Sequence, residues 1–450
     1  NKCNSSHRAC SFYSCPPITE KMGCSILCNG VKIVTEETQS PLACVSLFVE
    51  AGSRYETAHN NGICHFIEHM AYKGFNSMDQ CQLEAFVALD STRLTAQTNR
   101  EIQVFSAICP SERAPYYLEL LSLIITDLEL NEFKICCERD TMFQEMEDLD
   151  RDPKAVVFDY LHATAFQGTP LSKRVVGPTK NVCQFDRNYA LNFLCEHYQP
   201  HRFVIATSGN VVHEQLACCA DLRFSCLPSA SYFDSEDGPC RFTGSEVRYR
   251  DDSMPLAHVA IAFEAPGYAS KDYMTMMVMK HMVGSWDRSQ SRGEDNSRWL
   301  ARKGASVCHR YECFYIPYRD VGLWGVYFVA GRMDLEDMMY LIQTEFMNLC
   351  FIKHRSELMK GVNGAKLEMY KRYSSAVSSS LDIGTQVMYT GDRHDVKELC
   401  RFLSDVKIET VWDAAQQYLY DRCPAVAAVG PTEGLPEYTR IRAGTYWLRL

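Results

Sequence analysis

The sequence predicts an α+β protein of two duplicated halves, each a largely antiparallel sheet with helices packed on one face. Three observations predict it. The run VSLFVEAGS, beginning at Val45, is echoed by VAIAFEAPG, beginning at Val259. Both alternate with a period of two and end in a Glu-Ala turn with glycine close behind, the pattern of a strand entering a turn. A second pair, FVIATSGN from Phe203 and AVAAVGP from Ala425, repeats the relation near the end of each half at nearly the same separation. Between them, LPSASYFDSEDGPCRFTGSE, from Leu227 to Glu246, is rich in Ser, Pro, Gly and Asp and reads as a linker. Residues 1–226 and 247–450 are therefore the expected halves, and 227–246 the link. A chain of 450 residues also exceeds what one ordinary core supports.

Taken in order, the opening NKCNSSHRACSFYSC does not read as a signal or transit peptide. The first strand echo is followed by NGICHFIEHMAY, an apolar helix pattern that carries His65, Glu68 and His69. The strand LTAQTNRE comes next, then the helical SERAPYYLELLSLIITDLEL. The apolar stretch Tyr116 to Leu130 is interrupted by Glu119, Asp127 and Glu129, so no transmembrane segment is expected. ICCERDTMFQEMEDLD continues as an acidic helix. In the second half DYMTMMVMKHMVG takes the place of the histidine helix and keeps only His281.

Composition bounds the chemistry. A net charge of −10 argues against nucleic acid as a partner and leaves room for basic substrates. The 22 cysteines show no paired zinc-ribbon spacing. Positions such as Cys64, Cys81, Cys136 and Cys137 fall in apolar or helical stretches, which suggests free thiols filling core positions in a reducing compartment, the cytosol or the mitochondrial matrix.

On a helix, positions i and i+4 share a face, so His65 and His69 can offer two imidazoles to one ion. Zinc accepts such nitrogens in tetrahedral sites. Glu68 lies close to the same face, where it can reach a water beside the metal and take its proton. A third ligand is required, and the acidic helix offers Glu138, Glu145, Glu147 and Asp148. Glu138 and Glu145 share a face across two turns; spacing does not choose between them. Glu147, Asp148 and Asp150 read as a solvated face.

The stretches AGSRYETAHNNGICHFIEHMAYKG, VVFDYLHATAFQGTPL, CRFTGSEVRYRDDSMPLAHVAIAFEAPG and YDRCPAVAAVGPTEGLPEYTRIRAGTYWLRL resemble the pitrilysin family of zinc peptidases along nearly the whole chain. The resemblance implies one zinc ion held by His65, His69 and Glu145, with Glu68 as general base and Glu138 as a carboxylate that orients the site. Within the family the wording sits nearest to two branches. One is core protein I of mitochondrial respiratory complex III; the other is the β subunit of the mitochondrial processing peptidase, which cuts presequence peptides. Either implies a matrix-side location at the inner membrane. The implied partner is a core protein II-like or processing-peptidase α-like subunit, with other complex III subunits in the first case and no haem on this chain.

Departures from the peptidase pattern favour the core branch. Thr95 stands where the substrate-pairing strand has asparagine, and Gln97 where it has an aromatic residue. Of two acids expected to receive a presequence arginine, one position is Ala155 and only Asp159 remains. The loop WDRSQSRGEDNSRWL keeps one glycine, Gly293, where three in a row are expected. Weak or absent peptidase activity is the expectation.

Overall fold

The computed structural model describes residues 21–228, 240–290, 293, 295–352 and 354–446. The opening segment, most of the expected linker and part of the loop after Arg288 lie outside the described residues.

Two six-stranded sheets form the frame. The first runs Lys21–Ile26, Lys32–Glu37, Phe203–Gly209, Leu42–Val49, Gln103–Pro110, Arg93–Thr98. The second runs Ser285–Asp287, Arg310–Pro317, Val321–Ala330, Ala257–Pro266, Ala425–Gly430, Glu246–Arg250. Each is antiparallel except for one parallel pair, Lys32–Glu37 with Phe203–Gly209 and Glu246–Arg250 with Ala425–Gly430. The strands that echo in sequence occupy equivalent places, side by side in both sheets. The helices repeat as well. Ile63–Met70, Ala114–Thr126, Glu132–Arg151 and Pro153–Ala165 recur in order as Tyr273–Val283, Leu335–Leu349, Arg355–Arg372 and Ala376–Thr390.

Each sheet buries one face under its own helices. Val45, Leu47 and Phe105 meet Phe66, Met70, Tyr117 and Leu121 in the first half. Val259, Ile261 and Trp324 meet Met276, Met279 and Phe346 in the second. The opposite faces are covered reciprocally. Helix Pro153–Ala165 places Val157, Leu161 and Ala165 on Ala260, Ala262 and Ala427 of the second sheet. Helix Ala376–Thr390 places Ile383 and Val387 on Phe48, Val104, Val204 and Ala206 of the first. Its Gly384 is required there: a Cβ would lie 2.0 Å from the Phe48 ring. With both faces covered, Val321–Ala330 is buried at all ten positions.

Polar groups centred on the buried Arg54 and Glu101 bridge the halves. Arg54 donates to Glu101 at 2.5 Å and to both oxygens of Asp320 at 2.8 and 3.0 Å, and Tyr389 donates to Glu101 at 2.8 Å. No described helix is long and apolar enough to cross a membrane. All described cysteines are free; Cys64 is buried as expected, but Cys81, Cys136 and Cys137 lie on exposed helix faces. Their helices bury few residues, Leu83 on one and Ile135, Glu138, Met142 and Met146 on the other, and the thiols fall on the solvent side.

Candidate metal centre

The helix Ile63–Met70 begins at Gly62, which has a left-handed backbone, φ 101°, and no side chain to cap the turn. The buried Glu56 supplies the cap from outside. Its carboxylate accepts from the Gly62 and Cys64 backbone N–H groups at 2.8 Å each and from Asn61 Nδ2 at 2.7 Å. A negative group at a helix N-terminus is favoured by the exposed amides and the helix dipole. Burial nonetheless raises the Glu56 pKa, against the pull of those bonds. Phe66, Ile67 and Met70 point into the core, which leaves His65, Glu68 and His69 on the side facing helix Glu132–Arg151.

That second helix brings Glu145 to the pair. His65 Nε2 and His69 Nε2 are 3.2 Å apart, and Glu145 Oε2 lies 3.1 Å from the first and 2.9 Å from the second. A tetrahedral zinc with bonds of about 2.0–2.1 Å keeps its donors about 3.3 Å apart. The triangle therefore has nearly the edge lengths that a zinc ion imposes, and it is the one such group among the described residues. Glu138 Oε2 lies 3.4 Å from His69 Nδ1, and its other oxygen accepts from Lys73 Nζ at 2.7 Å. Glu68 Oε2 lies 3.2 Å from His65 Nδ1. Each imidazole thus has a carboxylate on its far nitrogen, which sets the ring and makes the near nitrogen a better ligand.

The electrostatics fit a cation. Hydrogen bonds and charge from His65 and His69 hold the Glu145 carboxyl well below the usual range. Burial alone would lower the His65 pKa, but Glu145 and Glu68 outweigh it and push it up to about 9. Burial opposes ionisation of Glu68; His65, the Thr98 hydroxyl and His69 more than offset this and lower its pKa. A metal ion competes with the imidazole proton, so its affinity rises with pH through this range.

Thr98 ends the strand Arg93–Thr98, which pairs with Gln103–Pro110 on one side and closes that side of the sheet. Thr95 and Gln97 both lie on this edge strand, opposite Ser106 and Val104, and the Thr95 carbonyl accepts from Tyr72 OH at 3.1 Å. Asp159 is not free to meet a ligand arginine. It accepts from Arg100 Nη2 at 3.0 Å and Arg174 Nε at 2.7 Å. Gly293 has φ 81°, and a Cβ there would fall 2.6 Å from that of Ala305.

Two contributors escaped the sequence reading. Buried Gln103 donates to the Cys64 carbonyl at 2.6 Å and to Thr98 Oγ1 at 2.9 Å, while Tyr198 OH donates to its carbonyl. This amide ties the start of the histidine helix to the end of the edge strand. Its one signal was a glutamine opening a mostly apolar strand. Glu56 had none, because capping at a distance depends on how the preceding loop folds back.

The family model described as insulinase (peptidase family M16) matches residues 32–179, and the one described as the M16 inactive domain matches residues 184–351. The cytochrome b-c1 complex subunit 1, mitochondrial, of Mus musculus is 38% identical over 429 residues, 94% of this chain and 89% of that protein. The mitochondrial-processing peptidase subunit beta of Homo sapiens is 38% identical over 426 residues, 94% of this chain and 87% of that protein. A chain in the structure titled complex III2 from Candida albicans, Inz-5 bound, superposes with a TM-score of 0.85 at 24% identity, over 94% of this chain and 99% of that one.

Proposed function

This chain belongs to peptidase family M16, and from that premise we propose that it is a core protein I-like subunit of mitochondrial respiratory complex III that keeps a zinc-peptidase ligand set. Similarity to subunit 1 of the cytochrome b-c1 complex over 94% of the chain supports the reading, and the observation that carries it over a working peptidase is the set of departures at the substrate-positioning residues. Thr95, Gln97 and Ala155 weaken the features a peptidase needs. The division into halves 1–226 and 247–450 around a linker at 227–246, the heterodimer with a core protein II-like subunit and the matrix-side location at the inner membrane belong to the same proposal.

In this reading one zinc ion is held by His65, His69 and Glu145, and the triangle of donors supports it. When bound, zinc acidifies water and polarises a peptide carbonyl. The chain's own residues supply the rest. Glu68 is the residue that would receive a proton from the attacking water; here its carboxylate meets His65 Nδ1 and the Thr98 hydroxyl. Glu138, braced by Lys73, fixes the His69 ring. The edge strand Arg93–Thr98 would align an extended peptide, and the tie through Gln103 keeps strand and helix in one relation.

A second reading is favoured by the complete ligand set: the catalytic β subunit of the processing peptidase, to which the chain is equally similar. Native mass spectrometry separates the two. Co-purification with haem-bearing cytochromes supports the core subunit; a soluble heterodimer with an α-like subunit that cleaves presequence peptides overturns it.

A further inference from the structure

Away from the metal centre, the second half holds a cavity of about 420 Å³ between helices Leu335–Leu349 and Arg355–Arg372. Trp299 and Phe351 form aromatic walls, and Glu345 and Glu357 line it. Phe351 stays 49% exposed, so its ring is accessible to a ligand. The Glu345 carboxylate has one hydrogen bond, a long one of 3.4 Å from Asn348 Nδ2. Burial raises its pKa to about 7, Glu357 adds to this, and no cation among the described residues acts on it. Among the described lining residues the lysine and the arginine are turned elsewhere, and His354 also lines the cavity. Lys360 Nζ donates to the Ser297 carbonyl at 2.8 Å, and the Arg298 guanidinium packs over Gly284.

A second cavity, of about 460 Å³ between the halves, shows the contrast. There Glu368 is met by Lys280 and His281 at 2.7 Å each, and Asp382 by Arg393 at 2.9 Å. The chain neutralises its acids in that cavity, whereas in the other no described residue brings Glu345 a partner charge. A partly buried carboxylate lacking a countercharge is costly, and a ligand that supplies the charge recovers that cost. Flat aromatic faces beside it favour an organic cation over a hydrated metal ion.

We infer that this cavity binds an organic monocation, a guanidinium or alkylammonium group, with its charge on Glu345 and Glu357 and its apolar part against Trp299 and Phe351. The site is independent of the metal centre and of any peptidase activity. The test titrates the full chain in low salt with arginine amide, with tetramethylammonium and with a blocked pentapeptide containing one arginine, against sodium chloride. Calorimetry and tryptophan fluorescence give the readout. Saturable binding of the organic cations is expected, with Glu345→Gln weakening it about tenfold or more and Trp299→Leu weakening it and removing the fluorescence change. Tighter binding of the pentapeptide identifies a protein side chain as the source; tighter binding of the free cations identifies a small molecule. Glu345→Gln preserves side-chain shape, and its melting curve verifies the fold. No saturable binding below about 10 mM overturns the inference. So does unchanged affinity in a folded Glu345→Gln, the result expected if Arg298 simply swings in to pair with the carboxylate.

Discussion

Helices Ile63–Met70 and Glu132–Arg151 in the first half, and Tyr273–Val283 and Arg355–Arg372 in the second, occupy the same place relative to their sheets. One pair is held open and the other is shut. In the second half Gly361 and Gly364 let the backbones close: a Cβ at Gly361 would lie 2.4 Å from Met282 Cγ, and one at Gly364 would lie 3.0 Å from His281 Cβ. Glu368 then meets Lys280, His281 and Arg372 within 2.9 Å. Burial works against its charge, but those cations hold its carboxyl far below the usual range. In the first half three donors converge instead, and the nearest lysine, Lys73, serves Glu138 rather than Glu145. A metal site and a salt cluster thus arise from one frame. The difference is whether the chain supplies the positive charge itself.

Exchanging the features of the two pairs tests this. The largest effect is expected from His65→Ala, which should take zinc from one per chain to none by metal analysis while far-UV circular dichroism stays native. His281→Ala should leave the zinc content unchanged, and Glu138→Gln should weaken affinity by about 10–100-fold. Loss of zinc on changing His281 would sink the assignment to the first half.

Next comes substrate positioning. Reconstituted with the proposed partner subunit, the unmodified protein should cleave an arginine-bearing presequence peptide slowly or not at all. Ala155→Glu with Thr95→Asn should raise the rate by about tenfold or more, since misplacing a scissile bond by about 1 Å costs about a hundredfold. Adding Glu68→Gln should abolish the gain. Cleavage by the unmodified protein at a full processing-peptidase rate would remove the main support for a core-subunit role.

The shut pair should resist bulk. Gly361→Ala is expected to cost about 2 kcal/mol in denaturant unfolding, because the contact includes the Val278 carbonyl at 2.8 Å. Cys137→Ala, on the exposed face of the open pair, should change stability by less than about 0.5 kcal/mol. Equal costs would mean that the two pairs are packed alike.

The smallest effect is a pH slope. A glutamate raised from its ordinary value to about 7 binds more protons folded than unfolded between about pH 4.3 and 7. Its contribution favours the folded state below that window and is lost as pH rises through it. Glu345→Gln should therefore be more stable than the parent at pH 8 by about 1–2 kcal/mol, with the gap closing near pH 4. A gap that does not vary with pH would show that Glu345 is neutralised by a group of the chain.

The sequence carried the strands, the duplication and the histidine helix because each is a local pattern: alternation, a glycine turn, a four-residue spacing. Periodicity alone left Glu138 and Glu145 as equal candidates. The fold separates them: both nitrogens meet Glu145, while Glu138 sits behind His69 and is held by Lys73. Apolar spacing shows that Val157, Leu161 and Ala165 are buried, but not that they lie on the other half's sheet. Likewise a cysteine within a helix has no marked side until the helix packs, which is why Cys81, Cys136 and Cys137 came out on the surface.

The reciprocal helices constrain how the chain is made. When the first sheet is complete at Gly209, the face bearing Phe48, Val104, Val204 and Ala206 still lacks its cover. That cover is helix Ala376–Thr390, synthesised only near the end. A growing chain therefore exposes an apolar sheet face through most of the synthesis of its second half, the kind of surface on which nascent chains aggregate or are held by chaperones. Severing the linker leaves each product with a bare sheet face and a stray helix whose matching surface is on the other product. The two fragments should be soluble only together.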